Sequence, residues 1–317
     1  MIKINLNSKQ KYDIKKLMMK EIDKNLYPNK ISYTDIKKIY YYLRSQKFNK
    51  TAQLIDTKEK VYKICLLKNK CSLINFQKKF EKAFKEDSKG KSKKTIDNTW
   101  EYIKSEYEKV YINFSNHVAA YEILNVMKVN VCPYCNRQYT FTVNGKTRPE
   151  FDHFFPKSLY PFLAVSIYNL VPSCGLCNKG KSKALPEKFL YPYEESFEDK
   201  GIHFEVCNVV GNLLKQDELV VKLEPSVSHK DLIEQYNDSF KIELLYKQHS
   251  DYISELLYKS YIFNDEAIES IYKSYQDLFK SPSDLKRLII GNYEPNDFNQ
   301  RPLSKLTSDI IQQLAKR

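Results

Sequence analysis

Four cysteines and a handful of polar residues carry the chemistry this sequence can offer. Cys132-Pro133-Tyr134-Cys135 and Cys174-Gly175-Leu176-Cys177 form two C-x-x-C pairs. A two-residue spacer lets both thiolates of a pair reach one ion, and two pairs complete the four ligands of a tetrahedral Zn²⁺. The pairs are separated by 38 residues (136–173). A simple zinc ribbon has roughly 15–20, so the ion is expected to clamp a loop with structure of its own. A thioredoxin-like redox site needs one C-x-x-C in a βαβ setting, and a disulfide pair needs an exported chain. The opening MIKINLNSKQKYD lacks the apolar stretch of a signal peptide, so a cytoplasmic protein with structural zinc is expected. Cys65, Cys71 and Cys207 have no such spacing and are expected to act as small packing groups.

Inside the clamped loop runs Glu150-Phe151-Asp152-His153-Phe154-Phe155-Pro156-Lys157-Ser158, followed by Asn169 and, directly after the last cysteine, Asn178 with Lys179, Lys181 and Lys183. Hydrolysis of a phosphodiester needs an activated water, a counter-charge for the developing anion and help for the leaving oxygen, and a divalent ion supplies the last two. Mg²⁺ takes oxygen ligands and keeps several waters, so the Asp152 carboxylate and the Asn178 side-chain oxygen suffice as protein ligands. His153 is the expected general base, because an imidazole of ordinary pKa near 6.5 is largely neutral at about pH 7. Lys157, Lys179 and Lys181 are expected on backbone phosphates, which adds affinity without sequence choice. Neighbours on a flat strand face opposite sides, so Asp152 and His153 reach one phosphate only if the strand ends or bulges there; Pro156 favours an early end. Glu150 shares the parity of Asp152 and is expected as an exposed strand residue. Taken singly, Asn178 could simply N-cap the helix after the knuckle.

Taken together, these residues resemble the HNH endonuclease family, in the H-N-N variant with two C-x-x-C knuckles around a ββα-metal unit. The resemblance spans residues 132–183. It implies Zn²⁺ as a structural ion, Mg²⁺ or Mn²⁺ as the catalytic ion, and Asn169 as the residue that fixes the catalytic loop and orients His153. It also implies products with a 5′-phosphate and a 3′-hydroxyl. The wording CPYC, DHFFPKS and YNLVPSCGLCN is similar to the HNH effectors of bacterial anti-phage defence systems of the Septu type. That resemblance implies a separate ATPase partner or a second copy of the chain, held through residues 191–317.

The elements that must position these groups can be read from periodicity. Residues 1–130 show apolar spacings of three and four in Tyr33–Leu43, Val61–Phe84 and Trp100–Met127, which predicts helices. Glu86–Lys94 (EDSKGKSKK) predicts an exposed loop. In residues 131–190, Tyr139–Val143 alternates and meets Asn144-Gly145, a hairpin signal, with a return strand to about Phe154. Short helices are predicted from Pro161 to Ile167 and from Cys174–Asn178 towards Pro186. Residues 191–317 open on a Tyr/Pro/Glu-rich connector. Strands His203–Val210 and Glu218–Leu223 follow, then helices from His229. The expected fold is mostly α with a small central ββα-metal nuclease core, α+β overall, in three regions: 1–130, 131–190 and 191–317.

Net charge divides as +15, +5 and −7 over those regions, within an overall +13. A basic balance over the first two regions points to a polyanion partner there and an acidic back to something else; a composition rich in Lys, Asn, Ile and Tyr, as an AT-rich genome produces, accounts for the same bias without any nucleic-acid partner. No apolar run reaches the roughly 18–20 residues of a membrane span. The activity that the site residues and the HNH resemblance imply is metal-dependent DNA cleavage. The alternatives are a zinc-stabilised nucleic-acid-binding module without catalysis, and an RNase or toxin using the same residues.

Overall fold

The computed structural model describes the chain apart from residues 24–32, 183, 208, 210–219, 226–228 and 316–317. Lys183, the last residue of the resembling segment, lies outside the described residues. Most of the described residues are helical, with two small two-stranded antiparallel sheets, so the fold is α+β overall. Two compact units form: one of Ile4–Val129 with Thr140–Glu194, the other of Met1–Lys3, Asn130–Tyr139 and Glu195–Arg317. No helix among the described residues is long and apolar enough to cross a membrane.

The first unit contains helices α1 (Ser8–Asp23), α2 (Tyr33–Ser45), α3 (Asn49–Ala52), α4 (Lys58–Cys65), α5 (Lys70–Ser88), α6 (Lys93–Ser115) and α7 (Val118–Met127). Their cause is the predicted stripe: α6 buries Ile103, Tyr107, Val110 and Phe114, spaced by four, three and four. The Glu86–Lys94 loop is shorter than expected. Asn69 and Ser72 close a capping box at the start of α5, which runs on to Ser88, and Ser92 already caps α6. Gly90, at φ 74°, supplies the left-handed turn between them.

The loop 140–194 departs most from expectation. Asn144-Gly145 does turn, with Gly145 at φ 70°, but pairing there stops at one bridge, Val143 to Thr147. The strand β1 (Glu150–His153) pairs instead with β2 (Leu170–Ser173), setting Asp152 opposite Val171 and His153 opposite Leu170. Burial explains the exchange. Phe151, Asp152 and His153 are buried, as is all of β2, whereas Tyr139, Phe141 and Val143 remain exposed. The helix expected over 161–167 is two 3₁₀ turns, Pro161–Leu163 and Ile167–Asn169. Helix α8 (Gly175–Lys181) follows β2 as predicted. The connector is pinned down by Tyr191 and Tyr193, whose hydroxyls donate to the carbonyls of Tyr168 and Leu170 at 2.6 Å each.

In the second unit β3 (Ile202–Cys207) pairs with β4 (Val220–Pro225), close to the predicted strands; residues 208, 210, 218 and 219 of that prediction lie outside the described residues. β3 alternates buried and half-buried side chains. Helices occupy most of the remainder, from Lys230 to the last, Ser304–Ala315. The first knuckle belongs to this unit and is tightly held. Asn136 stands at φ 47°, its amide donates to the Phe298 carbonyl at 3.0 Å, and its oxygen accepts from the Lys305 amide at 2.9 Å.

Candidate functional site

The four knuckle cysteines are buried, and their sulfurs all lie within 4.8 Å of one another. Four Zn–S bonds of about 2.3 Å set sulfurs about 3.8 Å apart in a tetrahedron, so the group is close to ligand geometry and can hold a metal such as zinc. The local backbone prepares it. The Cys132 amide donates to Gln138 and the Asn136 amide returns to the Cys132 carbonyl, closing a tight turn. Cys174 is the N-cap residue of α8, and the Asn178 amide donates to its carbonyl at 3.0 Å.

A cleft of about 460 Å³ opens in the first unit, lined by Asp152, His153, Lys157, Asn178 and Lys179 together with Tyr111 of α6. Asp152 and His153 are the last two residues of β1, so the strand ends where the stereochemistry demanded. Both are buried. The His153 Nε2 lies 3.0 Å from the Ala164 carbonyl. A carbonyl can only accept, so Nε2 carries the proton and Nδ1 of the neutral ring keeps its lone pair. The Tyr111 ring meets the imidazole edge-on, centroids 4.5 Å apart. Burial, helped by the nearby charges of Lys157 and Lys181, holds the imidazole pKa down at about 3.

That shift has a consequence for stability. The folded pKa lies below the ordinary value near 6.5, so between those values the unfolded chain binds a proton that the folded chain refuses. Stability from this source is full above the upper limit and falls as pH drops through the window. His153→Gln removes the titration. Melting temperatures taken from about pH 7.5 to about pH 5, without added divalent ion, should fall more steeply in the wild type than in the variant. Parallel curves would contradict a neutral, buried His153.

Asn169 is fully buried and serves the loop. Its oxygen accepts from the Phe155 amide at 2.7 Å, and its amide donates to the carbonyls of Phe155 and Leu163 at 3.1 Å each. The side chain thus staples the segment after β1 to the 3₁₀ turn that presents the Ala164 carbonyl. The contact that directly orients His153 comes from that backbone carbonyl.

Asn178 is not a cap; it lies inside α8, and its amide donates to the Glu150 carboxylate at 2.6 Å. Its oxygen is the half of the side chain suited to a cation. Glu150 is exposed, as expected, and approaches α8 closely: a Cβ at Gly175 would lie 3.1 Å from its carboxylate.

The three lysines do not share one role. Lys179 is exposed at the cleft. Lys157 is half-buried, pairs with Glu108 at 2.7 Å and lies over the Tyr111 ring. Lys181, expected on the surface, is 1% exposed. Its ammonium lies 3.1 Å from Asp152 Oδ2 and donates to the His153 carbonyl at 2.8 Å. A phosphate-contacting role does not suit a cation enclosed in this way. Burial lowers its pKa, and Asp152 opposes the shift. Removing one partner of such a pair strands the other charge. Lys181→Met should therefore cost about 3–5 kcal/mol in urea unfolding, and Asp152→Asn/Lys181→Met should recover much of it. Equal losses in the single and double variants would contradict the pair's role.

Asp152 and Asn178 both line the cleft and together offer a carboxylate and an amide oxygen, a donor set that fits a hard divalent ion retaining several waters. Tyr111, Ala164 and the buried position of Lys181 carried no sequence signal for the site; Glu150 carried one only through its strand parity with Asp152. Against family models, curated proteins and solved structures, the chain finds no match.

Proposed function

We propose that the protein is a metal-dependent endonuclease of the HNH type that hydrolyses DNA phosphodiesters. The observation that carries this reading is His153. Its Nε2 is committed to the Ala164 carbonyl, which leaves the unprotonated Nδ1 as the atom able to accept a proton, in a cleft it shares with Asp152, Asn178 and Lys179. Burial holds the imidazole pKa at about 3, and the negative charge of a bound phosphate would raise it towards the working range. A Mg²⁺ or Mn²⁺ held by Asp152 and Asn178 would supply charge neutralisation at the phosphate. His153 Nδ1 accepts the proton of the attacking water as its oxygen bonds to phosphorus, and the 3′-oxygen departs, giving the 5′-phosphate that the family resemblance implies. Asp152 and Asn178 would hold the ion, Lys179 would hold the phosphate backbone, and Asn169 keeps the loop in shape. Zinc on the four cysteines fixes the scaffold.

The metal requirement tests this. A labelled duplex should be cut when Mg²⁺ is added to zinc-loaded protein, and Asp152→Asn should need far more Mg²⁺ for half-maximal rate. Cutting without Mg²⁺, or an unchanged Mg²⁺ requirement in the variant, would refute the assignment of Asp152. One observation favours the second reading, a zinc-stabilised nucleic-acid-binding module: the Lys181 ammonium already sits on the Asp152 carboxylate. The two readings part on whether folded, zinc-loaded protein cuts at all. An RNA substrate of the same length tests the RNase alternative. A place in anti-phage defence, with an ATPase partner or a second copy on residues 191–317, rests on resemblance alone and is proposed on that basis; light scattering of the purified chain reports on the second copy.

A further inference from the structure

A second basic depression lies in the helical part of the first unit, apart from the residues assigned above. Helices α3, α4 and α5 enclose a groove of about 560 Å³, rimmed by Lys50, Lys60, Lys63, Lys79 and Lys82, with Glu86 as its one acidic lining residue. Its floor is apolar: Leu54, Ile64 and Ala83 are buried, and Phe76 is half-buried. Lys50 pairs with Glu86 and Lys60 with Asp56. Lys63, Lys79 and Lys82 are exposed and make no ion pair among the described residues.

From this we infer that the groove holds a single-stranded stretch of a polynucleotide. Five lysines from three helices face one acidic residue, Glu86, whose charge Lys50 pairs and Lys82 also feels, and that surplus of positive charge favours an anion of several charges. The apolar floor asks more of the ligand than charge. A duplex presents mainly phosphates to such a rim, whereas an unpaired strand also offers base faces that can leave water against the floor. One groove residue also packs against the loop that carries His153. The Phe76 ring meets Phe162 at 5.8 Å, and Phe80 stacks on Phe162 at 3.9 Å. Phe162 belongs to the 3₁₀ turn whose Leu163 carbonyl binds Asn169 and which leads into the Ala164 carbonyl at His153. The inference takes its ligand class from the proposed nuclease function and adds where, and in which form, the strand is held.

The test is fluorescence anisotropy with labelled oligo(dT), oligo(U) and a duplex of equal length, in Mg²⁺-free buffer so that nothing is cut. Wild type is compared with Lys63→Glu/Lys79→Glu/Lys82→Glu and with a control of equal charge change, Lys9→Glu/Lys11→Glu/Lys15→Glu, all exposed on α1. The groove variant should bind single strands at least tenfold more weakly. Its log–log salt slope should drop by about 2, for three phosphates at roughly 0.7 each. The control should stay within about threefold, and oligo(dT) against oligo(U) assigns the sugar. Equal weakening in both variants would reduce the effect to net charge and overturn the inference. So would a duplex binding as tightly as the single strands. Cleavage by wild type with unaltered binding in the groove variant sinks the groove alone. Groove-dependent binding by a wild type that never cuts sinks the nuclease reading and leaves the groove.

Discussion

Stripping metal from the four-cysteine group should unfold the loop that carries Asp152, His153 and Asn169, and this is the largest effect expected of any single perturbation. A structural Zn²⁺ contributes on the order of 10 kcal/mol to folding, comparable with the whole stability of a typical domain at about 5–15 kcal/mol. Both ends of the loop from Cys135 to Cys174 are fastened by the cysteines, and β1, β2 and the Asn169 staple all lie within or at the edge of that span. Elemental analysis should find one zinc per chain. A strong chelator should abolish the cooperative melting transition, and Cys174→Ser should lose zinc and melt at markedly lower temperature. Cys65→Ser supplies the contrast: that thiol is buried and its pKa is pushed up to about 12 by desolvation, so it stays protonated and is no ligand. Cys65→Ser should keep its zinc. A zinc-free chain that melts like the wild type would contradict the structural role.

The second large effect is expected at His153. Loss of a general base slows its reaction by roughly 10²–10⁴-fold. His153→Ala also leaves the buried Ala164 carbonyl without its donor, so a fall in rate must be separated from a loosened loop. His153→Gln makes the separation, since an amide can donate to Ala164 yet has no basic nitrogen. Both variants should lose cleavage, while His153→Gln should bind a labelled oligonucleotide as the wild type does. Rate retained in His153→Gln would assign the residue to structure alone.

Much of this site was legible in residue type and order. The cysteine spacing announces the clamp, and Asp152, His153, Asn178 and Lys179 do line one cleft. The helices of the first 130 residues follow from a three-and-four spacing that survives because each buries one stripe. What escaped has a common cause: it depends on contacts distant in the chain or on backbone atoms. Asn144-Gly145 signals a local hairpin, yet β1 pairs across a separation of about twenty residues because β2 is the more deeply buried partner. Ala164 acts through its carbonyl, which no side-chain pattern records. Tyr111 arrives from α6, some forty residues upstream of His153. Lysine ordinarily belongs on the surface, so Lys181 reads as a phosphate contact until Asp152 is seen beside it. Asn178 illustrates a half-legible residue: its place in the site follows from the knuckle, but its tie to Glu150 requires the β1–α8 contact.

The most direct test is cleavage of supercoiled plasmid by zinc-loaded protein, with and without Mg²⁺, beside His153→Ala verified to be folded and zinc-loaded. The account predicts nicked or linear product from the wild type only when Mg²⁺ is present, and at least a hundredfold less from the variant. Equal cleavage by the two proteins would contradict the assignment of His153, and no cleavage by folded, zinc-loaded wild type on DNA or RNA would contradict the nuclease reading itself.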